Sequence, residues 1–143
     1  MLVRSYKEVK YMKRLPDAEF DVMKCIWNNQ PPVTTSDIMA QLGNERGWKA
    51  PALITLLQRL IERGFLRSEK PGKERLYYPL VAQDDYLRFE TDSFLGRVHG
   101  GSISSLISAL SGRQHLSRAD RDELMHWVQQ QEADSDESSG KED

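Results

Sequence analysis

Apolar side chains recur with a helical period along most of this chain, and the breaks in that period mark out its elements. From Leu15, the residues Phe20, Met23, Ile26 and Trp27 form an apolar stripe. Pro16 suits a first helical turn, and Asp17 and Glu19 suit the positive end of that helix. Asn28-Asn29-Gln30-Pro31-Pro32 stops it. Thr34, Thr35 or Ser36 caps a second, shorter helix carrying Ile38, Met39 and Leu42, closed by Gly43. A polar link, Asn44-Glu45-Arg46-Gly47, leads to a third helix whose first turn Pro51 suits, with Ala50 before it pushed towards extended geometry. Its residues Leu53, Leu56, Leu57, Leu60 and Ile61 predict a complete buried face, and Gly64 ends it. Phe65-Leu66 then enters a strand, Lys70-Pro71-Gly72-Lys73 turns the chain, and Arg75-Leu76-Tyr77-Tyr78-Pro79 returns as a second strand.

Beyond the hairpin the pattern is helical again. Residues 83–98 predict a helix with Tyr86, Leu87, Phe94, Leu95 and Val98 among its apolar positions, broken by Gly100-Gly101. A short apolar helix follows over residues 103–110, and Ser117 caps a last one bearing Leu124, Trp127 and Val128. From Glu132 the chain reads EADSDESSGKED, acidic and without aromatics, which predicts disorder. The expected organisation is a flexible extension over 1–14, with Met12 an alternative start of translation, and a compact domain over 15–81. A helical segment over 82–131 and an acidic tail over 132–143 complete it.

Charge changes this picture. Residues 1–80 carry 14 Lys/Arg against 9 Asp/Glu, whereas residues 81–143 carry 6 against 13. A basic first half joined to an acidic second half fits a protein that puts one end on nucleic acid. The fold expected is mainly α with a small β-hairpin: an N-terminal winged helix-turn-helix and a C-terminal helical dimerisation domain. In such a fold the third helix enters the major groove and the hairpin, or wing, reaches the backbone beside it. Opposite its leucine face the third helix offers Pro51, Ala52, Ile54, Thr55, Gln58 and Arg59, with Lys49 at its start where a phosphate would meet free N–H groups. Gln58 and Arg59 can read base edges, and Ala52, Ile54 and Thr55 can meet thymine methyls. Lys70, Lys73 and Arg75 in the hairpin suit phosphate, which positions a protein without specifying sequence. Taken one at a time, each of these is more readily an ordinary solvent-facing residue; the order of elements, the charge balance and the basic turn are what join them.

At these residues the chain resembles the penicillinase-repressor family (BlaI/MecI, with the related copper-responsive CopY regulators). The matching pieces are Leu15 and Glu19 with Val22-Met23 and Ile26-Trp27, then Trp48, Thr55-Leu56, Arg59-Leu60, Arg63-Gly64-Phe65-Leu66 and Tyr78-Pro79. Gly100-Gly101 with the short helix after it, and Leu116-Ser117, extend the resemblance to about Gln130. It implies a homodimer on a palindromic operator in double-stranded DNA, and in many members release by cleavage in the C-terminal domain, triggered by a membrane-bound metalloprotease sensor of β-lactams. The corresponding bond here is Ala109-Leu110, where members with known cleavage tend to carry Asn-Phe. Ala52 stands where a threonine is common, and Ile54 where some members have a polar or basic residue, so the operator sequence does not carry over. No cysteine lies near the C-terminus, which excludes copper sensing through the cysteine cluster of the copper-responsive branch.

Phe94, Val98, Ile103, Leu106, Ile107, Leu110, Leu124, Trp127 and Val128 are more apolar side chains than isolated short helices can hide. Packing against a second copy would bury them at about 1.5–3 kcal/mol for each fully buried large side chain. A two-fold dimer would then set two recognition helices about one DNA turn, ~34 Å, apart. Folding back on the winged domain is the alternative. An enzyme is not expected: His99, His115 and His126 are scattered, no phosphate-binding glycine loop appears, and Cys25 lies among apolar neighbours as core filler. No cofactor or metal is expected, and with no apolar run near 20 residues and no signal-like start, neither membrane insertion nor export is. The rival roles are a winged-helix regulator controlled by a small ligand or metal, and a winged helix used only for protein contacts.

Overall fold

The computed structural model describes residues 12–111 and 116–140, the last five of these by backbone alone. Residues 1–11 of the extension expected over 1–14, together with His115, lie outside the described residues. Two compact units divide at Gly101 and Ser102.

The first unit opens with α1 (Asp17–Trp27), whose inward residues Val22, Met23 and Ile26 are buried. A two-residue strand, β1 (Val33–Thr34), follows the proline pair. Next comes α2 (residues 35–46), made of an α turn Thr35–Ile38, a wider π turn Met39–Gly43 and a closing turn Asn44–Arg46. Thr34 caps it: its hydroxyl accepts from the Asp37 N–H at 3.1 Å while the Asp37 carboxylate accepts from the Thr34 N–H at 3.0 Å. Gly43 does not close this helix. It lies buried inside it, where an added Cβ would fall 2.5 Å from the Met39 sulfur. The stop comes at Gly47, whose φ of 71° favours glycine. There Trp48 N–H reaches back to the Gly43 carbonyl at 2.8 Å and satisfies the helix end.

The third helix, α3 (Ala50–Glu62), buries Leu53, Leu57 and Leu60, with Leu56 and Ile61 half-buried beside them. Gly64, at φ 83°, closes it in the same way, with Phe65 N–H donating to the Leu60 carbonyl at 2.9 Å. Strands β2 (Leu66–Glu69) and β3 (Leu76–Pro79) make the predicted hairpin, in register Leu66 with Pro79 and Glu69 with Leu76. A third strand was not legible in the pattern. Val33 and Thr34 pair antiparallel with Tyr77 and Leu76, giving a sheet of order β1-β3-β2. Two residues are too few to show a period, and only β3 gives them a partner.

Helix α4 (Gln83–His99) corrects the boundary drawn at residue 81. Its Tyr86 is fully buried in the first unit, among Phe20, Trp27, Phe65 and Phe89, with ring centroids 5.5–6.2 Å away. The Leu15 N–H donates to the Tyr86 hydroxyl at 2.8 Å, and the Trp27 indole N–H donates to the Val81 carbonyl at 2.9 Å. Met12 and Leu15 are buried with this cluster, so core begins inside the stretch assigned to the flexible extension. Burial pushes the Tyr86 phenol up to about 12; the Leu15 N–H opposes that shift and Glu90 adds to it.

The second unit holds α5 (Ile103–Ser111) and α6 (Arg118–Gly140). Ser102 and Ser117 cap them through their hydroxyls, which accept from Ser105 and Asp120 N–H at 3.1 and 3.0 Å. The helix α6 runs on across residues 132–140, where the acidic composition predicts disorder. That stretch has no glycine or proline before Gly140 to break a helix already nucleated upstream. None of the described side chains of this unit is buried.

Candidate nucleic-acid interface

The leucine face that seats α3 in the core determines which residues it can offer to a partner. With Leu53, Leu57 and Leu60 inward, the side chains of Pro51, Ala52, Ile54, Thr55, Gln58 and Arg59 are all exposed, as is Lys49 just before the helix. These are the residues expected to face DNA, and they form one solvent-facing surface. Ile54 is half exposed, an unusual position for a large apolar side chain on a helix whose other face is so well packed. The Thr55 hydroxyl donates to the Pro51 carbonyl at 3.0 Å. Its hydrogen is therefore committed, and Thr55 presents a methyl group and an oxygen that can only accept.

The expected anion seat at the start of α3 is thinner than the sequence suggests. No side chain caps the helix, but Pro51 has no N–H and the Ala52 N–H is already bonded to the Lys49 carbonyl at 3.0 Å. Lys49 thus offers mainly its own charge there.

At the hairpin tip Lys70, Lys73 and Arg75 are exposed. They differ in freedom, because an Arg75 nitrogen donates to the Ser68 hydroxyl at 3.0 Å, which ties that side chain to β2 across the hairpin. Behind them Arg67 lies over the Tyr78 ring at 4.0 Å and pairs with Glu69 at 2.6 Å, stiffening the base of the wing. Between the wing and α2 is a cleft of about 180 Å³, lined by Thr35, Ser36, Lys73, Glu74 and Arg75. In sequence Thr35 and Ser36 are only candidate helix caps, because their nearness to the wing depends on β1 joining the sheet.

One buried charge holds this surface in place. Glu19, expected at an exposed helix start, is 1% exposed, and its carboxylate accepts from the Arg63 guanidinium at 2.8 Å. Arg63 is the residue that follows α3, so the pair fixes the end of α3 to α1. The periodicity gave no sign of it, since a glutamate in a first turn satisfies the helix dipole equally well. On the opposite side, Arg46 pairs with Asp21 at 3.0 Å and ties the end of α2 to α1. Cys25 is half-buried beside Gln41, and burial with the nearby Asp37 pushes its thiol up, away from the reactive thiolate.

The residues expected at a dimer contact divide between the units. Phe94 and Val98 are exposed on the far half of α4, where the Phe94 ring meets His99 edge-on at 5.5 Å. In the second unit Ile103, Ile107, Leu110, Leu124, Trp127 and Val128 are 40–57% exposed and Leu106 is half-buried. With Leu116 and Arg121, most of them line an apolar groove of about 590 Å³ between α5 and α6. Ala109 and Leu110 are exposed near the end of α5. Among the described residues no group of His, Cys, Asp and Glu is placed to hold a metal ion, and no helix is long and apolar enough to cross a membrane.

The chain is similar in sequence to known proteins. The model of the family described as penicillinase repressor matches residues 15–130. A penicillinase repressor of Bacillus licheniformis is 30% identical over 122 residues, spanning 83% of this chain and 94% of that relative. A methicillin resistance regulatory protein MecI of Mammaliicoccus sciuri is 28% identical over 110 residues, spanning 77% of this chain and 89% of its own length. Among solved structures, the solution structure of the DNA binding domain of the repressor BlaI is 33% identical, covering 52% of this chain and 94% of that one at a TM-score of 0.45.

Proposed function

The chain belongs to the penicillinase repressor family and is a DNA-binding transcriptional regulator rather than an enzyme, and from that premise we propose that it represses transcription in the cytoplasm as a homodimer on a palindromic operator. The observation that carries the reading is the exposed face of α3, held rigid from behind by Leu53, Leu57 and Leu60 and flanked by a basic wing. In the major groove, Gln58 and Arg59 would pair with base edges while Ala52, Ile54 and the Thr55 methyl meet thymine methyls. Lys49, Lys70, Lys73 and Arg75 would neutralise phosphates and set the register. The second copy covers the exposed apolar side chains of α5 and α6, and the operator repeats because the protein does. A cut at Ala109-Leu110 would part Ile103, Leu106 and Ile107 from Leu124, Trp127 and Val128, and so undo the dimer and release the DNA.

Binding of the full chain to duplexes from its own promoter region, followed by fluorescence anisotropy over a range of KCl, tests this. Affinity should fall steeply as salt rises, because neutralised phosphates release counterions. The pair Lys73→Ala with Arg75→Ala should weaken binding alike on all sequences and flatten the log–log salt slope by about 1–2. Salt-independent binding, or none, overturns the reading.

A further inference from the structure

The tip of the wing, between Lys70 and Arg75, carries a charge of the wrong sign for its task. Glu74 stands between Lys73 and Arg75 at the hairpin tip, and all three side chains line the cleft against Thr35 and Ser36 of α2. The Glu74 carboxylate sits 3.4 Å from the Ser36 hydroxyl, a long and weak contact, while Arg75 is drawn to Ser68 at 3.0 Å instead. The cleft therefore has the composition of a phosphate seat, with two hydroxyls and two cations around about 180 Å³, and its anion is already supplied by the protein.

We propose that this cleft takes a backbone phosphate of the bound DNA and that Glu74 is a built-in competitor for that place. The proposal rests on the wing facing DNA. A phosphodiester entering the cleft would take the Ser36 hydroxyl that now contacts the carboxylate, and would have the Thr35 hydroxyl, the Lys73 ammonium and the Arg75 guanidinium in the lining around it. Two anions cannot share the seat at close range, so Glu74 must swing outward when DNA arrives. Its effect is independent of base sequence, because it acts on the backbone. It lowers affinity for every duplex and so limits occupancy of non-operator DNA, leaving stable binding to sites where α3 adds base contacts.

The test compares the full-length wild type with Glu74→Gln, which keeps the side chain's shape and removes its charge. Asp17→Asn, the same charge change at an exposed position on the first turn of α1, is the control. Each is titrated against a promoter duplex and against a duplex of scrambled sequence, from low to high KCl. Glu74→Gln should bind both duplexes about three- to tenfold more tightly at low salt, with a steeper salt slope, and the advantage should shrink as salt rises. Asp17→Asn should gain much less. Unchanged or weaker binding by Glu74→Gln overturns the proposal, as does an equal gain by Asp17→Asn, which would mean net charge alone is responsible. A gain confined to the promoter duplex also overturns it, since Glu74 would then oppose a base and not a phosphate. If no variant binds either duplex, the repressor reading has failed, and that outcome is distinct from the others.

Discussion

The two units treat their apolar residues in opposite ways. In the first, fifteen hydrophobic side chains between Met12 and Tyr86 are buried, many of them completely. In the second, no described side chain is buried, and Trp127, Val128, Leu124 and Ile107 are 40–57% exposed. The first unit therefore has the means to fold by itself. The second presents a surface whose cost in water is relieved only by something placed over it. On the proposed reading, such a regulator would carry its packed core behind the DNA-facing helix and its uncovered apolar surface where a second copy would dock.

Three substitutions probe the contrast, in descending size. Leu57→Ala removes a completely buried side chain from the back of α3. It should destabilise the protein by about 2–5 kcal/mol in urea unfolding, and loss of DNA binding should follow loss of fold. A change below 1 kcal/mol would mean the first unit does not depend on its core as the packing indicates. Trp127→Ala should leave the first unit's unfolding almost unaltered yet weaken self-association by about 1.5–3 kcal/mol, read as a shift toward monomer in sedimentation velocity. An undiminished dimer would remove Trp127 from the interface. Tyr86→Phe deletes only the hydroxyl that accepts from Leu15 and should cost about 1 kcal/mol at neutral pH.

The pH dependence of that last site has a definite sign. Folding raises the Tyr86 phenol from its usual 10 to about 12. The folded state therefore favours the neutral phenol, a contribution fully present below pH 10 and lost as pH rises toward 12. Wild-type stability should fall through that window, and Tyr86→Phe should fall less steeply. Parallel curves for the two proteins would show that the hydroxyl is not buried as described.

Much of the first unit could be read from the chain because its signals are local. Leu53, Leu57 and Leu60 mark their helix by spacing, Gly64 marks its end, and Lys70-Pro71-Gly72-Lys73 marks the wing. What escaped depends on residues distant in sequence. Glu19 is a helix-start residue until Arg63, 44 positions later, is brought against it. Val33 and Thr34 are loop until β3 lies beside them. Tyr86 follows the domain by local pattern alone, and belongs to it once Leu15 and Phe65 are adjacent. On the candidate interface, the leucine period was enough to tell which residues of α3 face outward. It could not tell that the Thr55 hydrogen is spent on Pro51, or that Ser36 and Glu74 meet across a cleft.

The closure of Tyr86 over the first unit bears on how that unit can be cut from the chain. A fragment ending at residue 81 would keep every element of the winged fold, yet it would lose the ring that fills the space among Phe20, Trp27 and Phe65. It would also leave the Leu15 N–H without its acceptor. Such a fragment begins with a hole at its centre and a loosened first helix. One carried through α4 retains the plug, so the natural place to divide this protein is the glycine pair at 100 and 101, well beyond the wing.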